Sequence, residues 1–206
     1  MTYATERRLV VAMDHGRAMG ALAGIENPGR VIDTVLDAGA DGLLISFGLL
    51  KRYRERLADR VPLFLRLDGG ASILKEPWLE NEAWSLLHSV EEARLLGAHG
   101  VCAMYFMAAR CELETLEIVA GVAGECLEHG LPLMVEALPC PNPKIANTLA
   151  ARHVADACRI AFEHGADLLK TYYPGTPEGF AQVVQVIVGQ VVGWAVFGIG
   201  GEFIEA

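Results

Sequence analysis

The stretch Gly165-Ala166-Asp167-Leu168-Leu169-Lys170-Thr171 joins the end of a predicted helix to a short apolar strand. Glycine is favoured at such a junction because it adopts the left-handed helix-capping conformation without the steric penalty that other residues meet. The same phrase, a glycine followed within three residues by an apolar run, recurs along the chain. Its other copies begin at Gly39, Gly97 and Gly130. This repetition predicts a series of helix–strand units.

Amphipathic helices are predicted between the strands, because apolar side chains recur there at helical spacing. The segments with this spacing include residues 27–38, 113–127 and 148–162. Ser89 and Glu92 have the form of a capping box, in which the serine begins a helix and the glutamate reaches back to it. Thr176 followed by Pro177 has the form of an N-cap with proline in the first turn.

Helix–strand units with continuously apolar strands indicate an α/β fold with a parallel sheet covered by helices. The predicted strands open near Leu9, Leu43, Pro62, Val101, Pro132, Leu168 and Val191. Seven such units resemble a TIM (β/α)8-type barrel that is truncated after strand 7. We therefore expect a single barrel domain over residues 1–206, without strand 8 and helix 8. The stretch from Ser72 to Leu87 shows no clear pattern, and Pro77-Trp78 is assigned to a loop.

Composition narrows the possible classes of function. The chain has 206 residues, 52% of them hydrophobic, and a mean hydropathy of +0.31, which is ample for a core. It lacks the ~18 uninterrupted apolar residues of a membrane span and the apolar segment of a signal peptide. A net charge of −9 without an extended basic cluster argues against nucleic-acid binding. Five scattered cysteines without a CxxC pair predict reduced thiols in a cytoplasmic protein.

Polar residues gather where several predicted strands end, and chemistry in parallel α/β folds lies at the carboxyl ends of the strands. These residues are Asp14 and His15 after the first strand, Arg66 and Asp68 on the third, Glu136 on the fifth and Lys170 on the sixth. A lysine in an apolar site can react as a neutral amine with a carbonyl group and form a Schiff base, while neighbouring acids transfer protons. The predicted catalytic set is Lys170, Asp14 and Glu136.

Each of these residues also has a structural interpretation. Lys170 could reach solvent at a strand end or belong to a buried ion pair, and perturbed lysines mark active sites only statistically. Asp14 could cap a helix, and Glu136 could be the buried partner of Arg66 or Lys170. Their common position at one end of the sheet favours the catalytic interpretation.

Two motifs carry a resemblance to a known family. Val10-Val11-Ala12-Met13-Asp14-His15-Gly16 and the Lys170 segment, with residues 147–162 before it, are similar to the archaeal-type class I fructose-bisphosphate aldolases of the DeoC/LacD superfamily. The similarity runs from about Leu9 to about Val192. It implies a (β/α)8 barrel that acts on sugar phosphates or related ketoses through a Schiff base. It also implies that Lys170 is the Schiff-base lysine and that Asp14 is the aspartate of the first strand.

The chain is expected to depart from this family in three respects: strand 8 with its phosphate-binding helix N-terminus is missing, and two motifs differ. Leu138 stands where the fructose-bisphosphate enzymes carry an acid/base tyrosine, and Glu136, two residues earlier on the same strand face, is the predicted substitute. The phosphate loop expected after strand 7 reads Phe197-Gly198-Ile199-Gly200-Gly201-Glu202, with an acid in place of a base. The residues predicted to contact substrate are His15, Arg66, Asp68, Tyr172, Gly200 and Gly201.

The sequence favours a class I aldolase-type lyase that cleaves or forms a C–C bond in a ketose or sugar phosphate. The alternative is a non-catalytic or incomplete aldolase-derived protein without a competent phosphate site. A metal-dependent aldolase is disfavoured because no histidine pair has ligand spacing; every histidine except His15 is assigned to a helix or helix end at the surface. No metal or other cofactor is predicted. A homo-oligomer is expected because an open sheet exposes its edge strands, with Val186–Val196 as the least secure segment.

Overall fold

The computed structural model describes residues 8–72, 83–187 and 191–194. Within these ranges, strands and helices alternate along most of the chain. The strands are β1 (Val10–Ala12), β2 (Gly42–Ile45), β3 (Leu63–Arg66), β4 (Asp68–Gly70), β5 (Trp84–Leu86), β6 (Gly100–Met107), β7 (Leu133–Pro139), β8 (Leu168–Thr171) and β9 (Val191–Trp194). The helices are α1 (Gly16–Met19), α2 (Pro28–Asp37), α3 (Phe47–Leu57), α4 (Val90–Leu95), α5 (Glu112–His129), α6 (Ala151–Glu163) and α7 (Pro177–Val186).

Seven of the strands form one sheet in the order β1-β2-β3-β6-β7-β8-β9, and every neighbouring pair is parallel. They are the seven strands predicted from the sequence, so the parallel sheet and its strand count within the described residues are confirmed. Parallel neighbours need a crossover connection, and the helices between them supply it. The carboxyl ends of all seven strands therefore lie on one side of the sheet.

Strands β2, β3, β6, β7 and β8 are buried on both faces, between which successive side chains alternate. One face packs against the helices in the main core, through side chains such as Leu65, Val135 and Leu169. The opposite face forms a separate cluster, here named the inner apolar layer. Its members are Ala12, Leu44, Phe64, Cys102, Met134 and Leu168. Burial on both faces explains why the strands read as continuous apolar runs.

The helix ends follow the predicted capping signals. The glycines at positions 39, 97, 130 and 165 have φ angles of +95°, +80°, +67° and +104°. At Gly165 a side chain is doubly disfavoured, since an added Cβ would also lie 2.7 Å from the Cβ of Ala123. Ser89 and Glu92 form the predicted capping box, and the Thr176 hydroxyl accepts a hydrogen bond from the amide of Gly179. The helix predicted from Thr148 begins later, at Ala151, because residues 147–150 form a turn.

Strands β4 and β5 form a second, antiparallel sheet beside the main one. The stretch from Ser72 to Leu87, which shows no clear pattern in the sequence, thus contains the strand β5. A strand of three residues is too short to show a period of two. Gly70 is required at this contact, because an added Cβ would lie 2.5 Å from the Trp84 ring. The loop assignment of Pro77-Trp78 lies outside the described residues.

Other expectations also concern residues outside the described ranges. The predicted phosphate loop at 197–202 and the absence of an eighth strand belong to this group. Of the segment Val186–Val196, the structure describes the end of α7, Ile187 and the backbone of β9. Across the described part of the chain, no helix combines the length and apolar character that crossing a membrane requires.

Candidate active site

Charged residues follow the inner apolar layer toward the carboxyl ends of the strands. Glu136 on β7 lies two residues beyond Met134, and Lys170 on β8 lies two residues beyond Leu168. Glu136 and Lys170 are register partners, and Lys170 Nζ lies 2.7 Å from Glu136 Oε1. Both residues are buried, with exposed fractions of 7% for Lys170 and 1% for Glu136. The predicted nucleophile and one predicted acid therefore form a buried ion pair.

Arg66 on β3 lies at the centre of the charged cluster and is 2% exposed. Its Nε donates to Asp14 Oδ2 at 2.9 Å, and its second terminal nitrogen donates to Glu136 Oε2. The remaining terminal nitrogen lies 3.7 Å from Asp68 Oδ1, and neither of those two atoms has a hydrogen-bond partner within the described residues. Burial opposes the charge of Arg66, but Cys102 and the three carboxylates raise its pKa well above the ordinary value.

Asp14 follows β1, which is the edge strand at one end of the sheet order, and its carboxylate belongs to the same cluster. Its carboxylate is buried at 6% exposure, and Arg17 Nε lies 3.9 Å from it. Burial by itself raises the pKa of Asp14, but the positive charges of Arg66 and Lys170 outweigh that effect and lower the pKa below its usual range. The charge of Lys170 thus acts on Asp14 as well as on Glu136, and the three predicted catalytic residues are brought together.

Asp68 has a different environment from the other two acids. Its Oδ2 accepts hydrogen bonds from the backbone amide of Met104 at 2.6 Å and from Trp84 Nε1 at 2.8 Å. The carboxylate therefore joins three strands, β4, β5 and β6. Trp84 also packs edge-on against Phe106 and lies beneath the Arg17 guanidinium. These contacts give Asp68 a structural role, and its predicted contact with substrate stays a prediction.

A cavity of about 510 Å³ opens beside Arg66 and Asp68, between the segment after β1 and the start of α3. Apolar side chains form much of its wall, together with a few polar ones, as is usual for small-molecule sites. The apolar residues include Met13, Ile25, Phe47, Leu49 and Leu87, and the other polar ones are Arg17, Glu26, Ser46 and His88.

Three residues of this region were missed from the sequence. His88 was assigned to the surface, but it is half-buried, lines the cavity and stacks on Phe47 with a centroid separation of 4.1 Å. No role was predicted for Arg17 or Trp84 from the sequence. The capping residue Ser89 was a usable signal for His88, since residues just before a helix that follows a strand lie at the carboxyl side of the sheet. Trp84 had no such signal, because its strand is only three residues long.

Four of the residues predicted to contact substrate remain, and the structure describes two of them, His15 and Tyr172. His15 is half-buried and stands at the N-cap position before α1, directly after Asp14. Tyr172 follows β8 and packs against the cluster that contains Leu138 and Phe106; burial raises the pKa of its phenol to about 12. Leu138 is itself buried, so the strand face that would hold a tyrosine is apolar there. Gly200 and Gly201 lie outside the described residues.

Candidate metal ligands are not clustered in the part of the chain that the structure describes. No group of three or more histidine, cysteine, aspartate or glutamate side chains there has a metal-binding arrangement. The three acids of the site surround Arg66 instead.

The sequence matches the model of the DeoC/LacD family aldolases over residues 8–196. The chain belongs to the DeoC/LacD aldolase family. A curated relative, an uncharacterized aldolase from Saccharolobus solfataricus, is 31% identical over 193 residues, which are 90% of this chain and 71% of the relative. The class 1 fructose-bisphosphate aldolase of Thermoproteus tenax is 32% identical over 186 residues, which are 87% of this chain and 67% of that enzyme.

Solved structures of the family support the same assignment. An archaeal fructose-1,6-bisphosphate aldolase, described with its catalytic lysine covalently bound to the carbinolamine intermediate of the substrate, superposes with a TM-score of 0.77. It is 31% identical and shares 91% of this chain and 74% of its own length. The predicted TIM-barrel-type α/β fold of this DeoC/LacD family member is thereby confirmed.

Proposed function

We propose that this DeoC/LacD family member is a class I aldolase-type lyase, which forms a Schiff base between Lys170 and the carbonyl group of a ketose or sugar phosphate. The observation that carries the proposal is the buried contact between Lys170 Nζ and Glu136 Oε1 at 2.7 Å. A carboxylate at this distance is a proton acceptor for the ammonium group, which must become a neutral amine before it attacks. The catalytic lysine named for the archaeal aldolase structure adds support from the family.

The first half of the reaction joins the substrate to Lys170. The neutral amine adds to the carbonyl carbon and gives a carbinolamine, whose nitrogen proton moves to the oxygen. The proton that Glu136 took from the Lys170 ammonium then passes to that oxygen, which leaves as water; a protonated imine remains, and Glu136 is a carboxylate again. Asp14 is assigned to relay the nitrogen proton to that oxygen, because its carboxylate lies within the field of Lys170.

The second half breaks the C–C bond. Glu136 takes the proton of the hydroxyl group on the carbon that departs, the electron pair of the broken bond moves to the imine, and an aldehyde and an enamine result. The enamine then gains a proton at carbon, and water hydrolyses the imine to release the ketone. Glu136 is assigned this step because it lies on the strand face where the fructose-bisphosphate enzymes are expected to carry a tyrosine.

Borohydride trapping tests the proposal. Protein is incubated with dihydroxyacetone phosphate, dihydroxyacetone or fructose 1,6-bisphosphate, reduced, and analysed by intact mass and peptide mapping. We expect one adduct on Lys170, equal in mass to the ketose less water plus two hydrogens. It should vanish in Lys170→Met and persist in Lys51→Met, whose lysine is exposed on α3. Failure to trap these or other ketoses, or an adduct that survives in Lys170→Met, would contradict the proposal.

A further inference from the structure

Arg66 directs its guanidinium at carboxylates of the protein on all sides. Two of its nitrogens donate to Asp14 and Glu136, and the third faces Asp68. That third nitrogen is buried and has no hydrogen-bond partner among the residues that the structure describes, and Arg66 as a whole is 2% exposed. A substrate anion would have to displace a buried carboxylate before it could bind Arg66. Such a displacement would leave an uncompensated charge in the interior, which is strongly unfavourable.

The two carboxylates that Arg66 holds are those assigned to proton transfer. Asp14 follows β1 and Glu136 lies on β7, so they reach the centre of the sheet from distant strands. Only a planar group with two separate donor edges bridges them, which is the geometry that arginine has and lysine lacks. Glu136 then presents its other oxygen to Lys170.

We infer that Arg66 is a positioning residue of the Lys170 site rather than a substrate ligand: it holds Asp14 and Glu136 within the field of Lys170 and offsets their negative charge. The inference rests on the proposed function for its catalytic meaning. Its structural part, the control of how easily Lys170 loses a proton, can be measured without any turnover.

The charge balance of the cluster gives the sign of the effect. The titratable and charged groups that face this site are Asp14, Arg17, Arg66, Asp68, Cys102, Glu136, Lys170 and Tyr172. Burial raises the pKa of Cys102 to about 12 and that of Tyr172 to about 12, so both are neutral near pH 7. Three carboxylates then oppose three cations. Removal of the Arg66 charge leaves an excess negative charge, and every neighbouring group holds its proton more tightly.

Acetic anhydride labelling of Lys170 over a range of pH, read by peptide mass, measures the proton loss directly. In Arg66→Met, the pH of half-maximal labelling should rise by about one unit, because Arg66 and Lys170 share the Glu136 carboxylate and loss of a nearby positive charge favours the protonated amine. Arg66→Lys keeps the charge, so its midpoint should stay close to that of the wild type. Borohydride trapping with dihydroxyacetone should nevertheless be slowed in Arg66→Lys by about tenfold or more, because misplaced catalytic groups lose rate steeply.

A paired variant keeps the experiment informative if Arg66→Met fails to fold. Asp14→Asn combined with Arg66→Met removes one charge of each sign, and the labelling midpoint should return toward the wild-type value. Arg152→Met, an exposed arginine on α6, is the matched control and should change nothing.

Two results would overturn the inference. One is a labelling midpoint that does not move in folded Arg66→Met. The other is a set of Arg66 variants in which only the ketose concentration for half-maximal trapping rises, at an unchanged pH profile, since that is the behaviour of a substrate ligand. A wild-type protein that labels with the expected pH dependence but traps no ketose would reject the proposed function and leave the Arg66 inference standing.

Discussion

Glu136 and Lys170 face each other across two adjacent parallel strands, in register, with 2.7 Å between Oε1 and Nζ. The other oxygen of Glu136 accepts from Arg66, so one carboxylate connects both buried cations. Lys170 is thereby connected through Glu136 on β7 to Arg66 on β3, and through Arg66 to Asp14 beside β1.

The first prediction concerns Glu136. Replacement by Gln removes the proton acceptor while it keeps the size of the side chain, and turnover should fall by about 10²–10⁴, the usual contribution of general acid–base catalysis. Steady-state rates with a ketose that the wild type accepts provide the measurement. Glu163→Gln, an exposed glutamate paired with Arg159 on α6, is the control. Undiminished turnover in Glu136→Gln would move the role elsewhere, and Tyr172 would be the next residue to test.

The sequence allowed the candidate site residues to be predicted, but not the contacts between them. Lys170, Glu136 and Asp14 were identified because strand ends converge and because each follows an apolar strand, and both signals are local. Their mutual contacts depend on register, which is fixed by pairing between strands far apart in sequence. No local pattern contains that information. Arg66 was therefore found as a strand-end residue, while its position between Asp14 and Glu136 emerged only in the structure.

The parallel sheet could be predicted from the sequence, but the small antiparallel sheet could not. Seven strands and their capping glycines follow from short-range steric and periodic signals. The hairpin of β4 and β5 did not, because three-residue strands carry no measurable period and owe their pairing to tertiary contacts. Asp68 shows the reason: its carboxylate bonds to the indole of Trp84 and to the backbone of β6, partners 16 and 36 residues away.

The second prediction concerns Asp14 and pH. Asp14→Asn breaks a buried ion pair with Arg66 and should lower the free energy of unfolding at pH 7 by about 3–5 kcal/mol. The pKa of Asp14 is lowered in the folded protein, so its contribution is complete above its ordinary value of 3.8 and is lost as the pH falls through the lower folded value. Urea denaturation of both proteins between pH 7 and pH 3 should show the difference shrinking only in the acid range.

The control for that experiment is Asp37→Asn, which alters an exposed carboxylate near Arg60. It should change the unfolding free energy by well under about 1 kcal/mol at either pH. A difference between wild type and Asp14→Asn that grows as the pH falls would contradict the assigned direction of the pKa shift.

The third prediction separates the structural role of Asp68 from its predicted contact with substrate. Asp68→Ala leaves the buried donors of Met104 and Trp84 without an acceptor, and each unsatisfied donor costs about 1–3 kcal/mol. Trp84→Phe removes one of those donors. In a double-mutant cycle the two substitutions should therefore cost less together than the sum of their separate effects, by about 0.5–3 kcal/mol. Strict additivity would show that the Asp68–Trp84 hydrogen bond does not contribute to stability.

The last prediction concerns the five cysteines, all of which are buried thiols. Burial raises the pKa of Cys102 to about 12, that of Cys126 to about 12 and that of Cys158 to about 11. The thiolate is the reactive form, so these side chains are protected both by inaccessibility and by protonation. With Ellman's reagent at pH 7.5, the native protein should therefore release far less than one equivalent of chromophore within minutes. The protein unfolded in guanidinium chloride should release five equivalents at once. Rapid reaction of several thiols in the native state would contradict this prediction. It would mean that the inner apolar layer around Cys102 and the main core around Cys126 and Cys158 open readily.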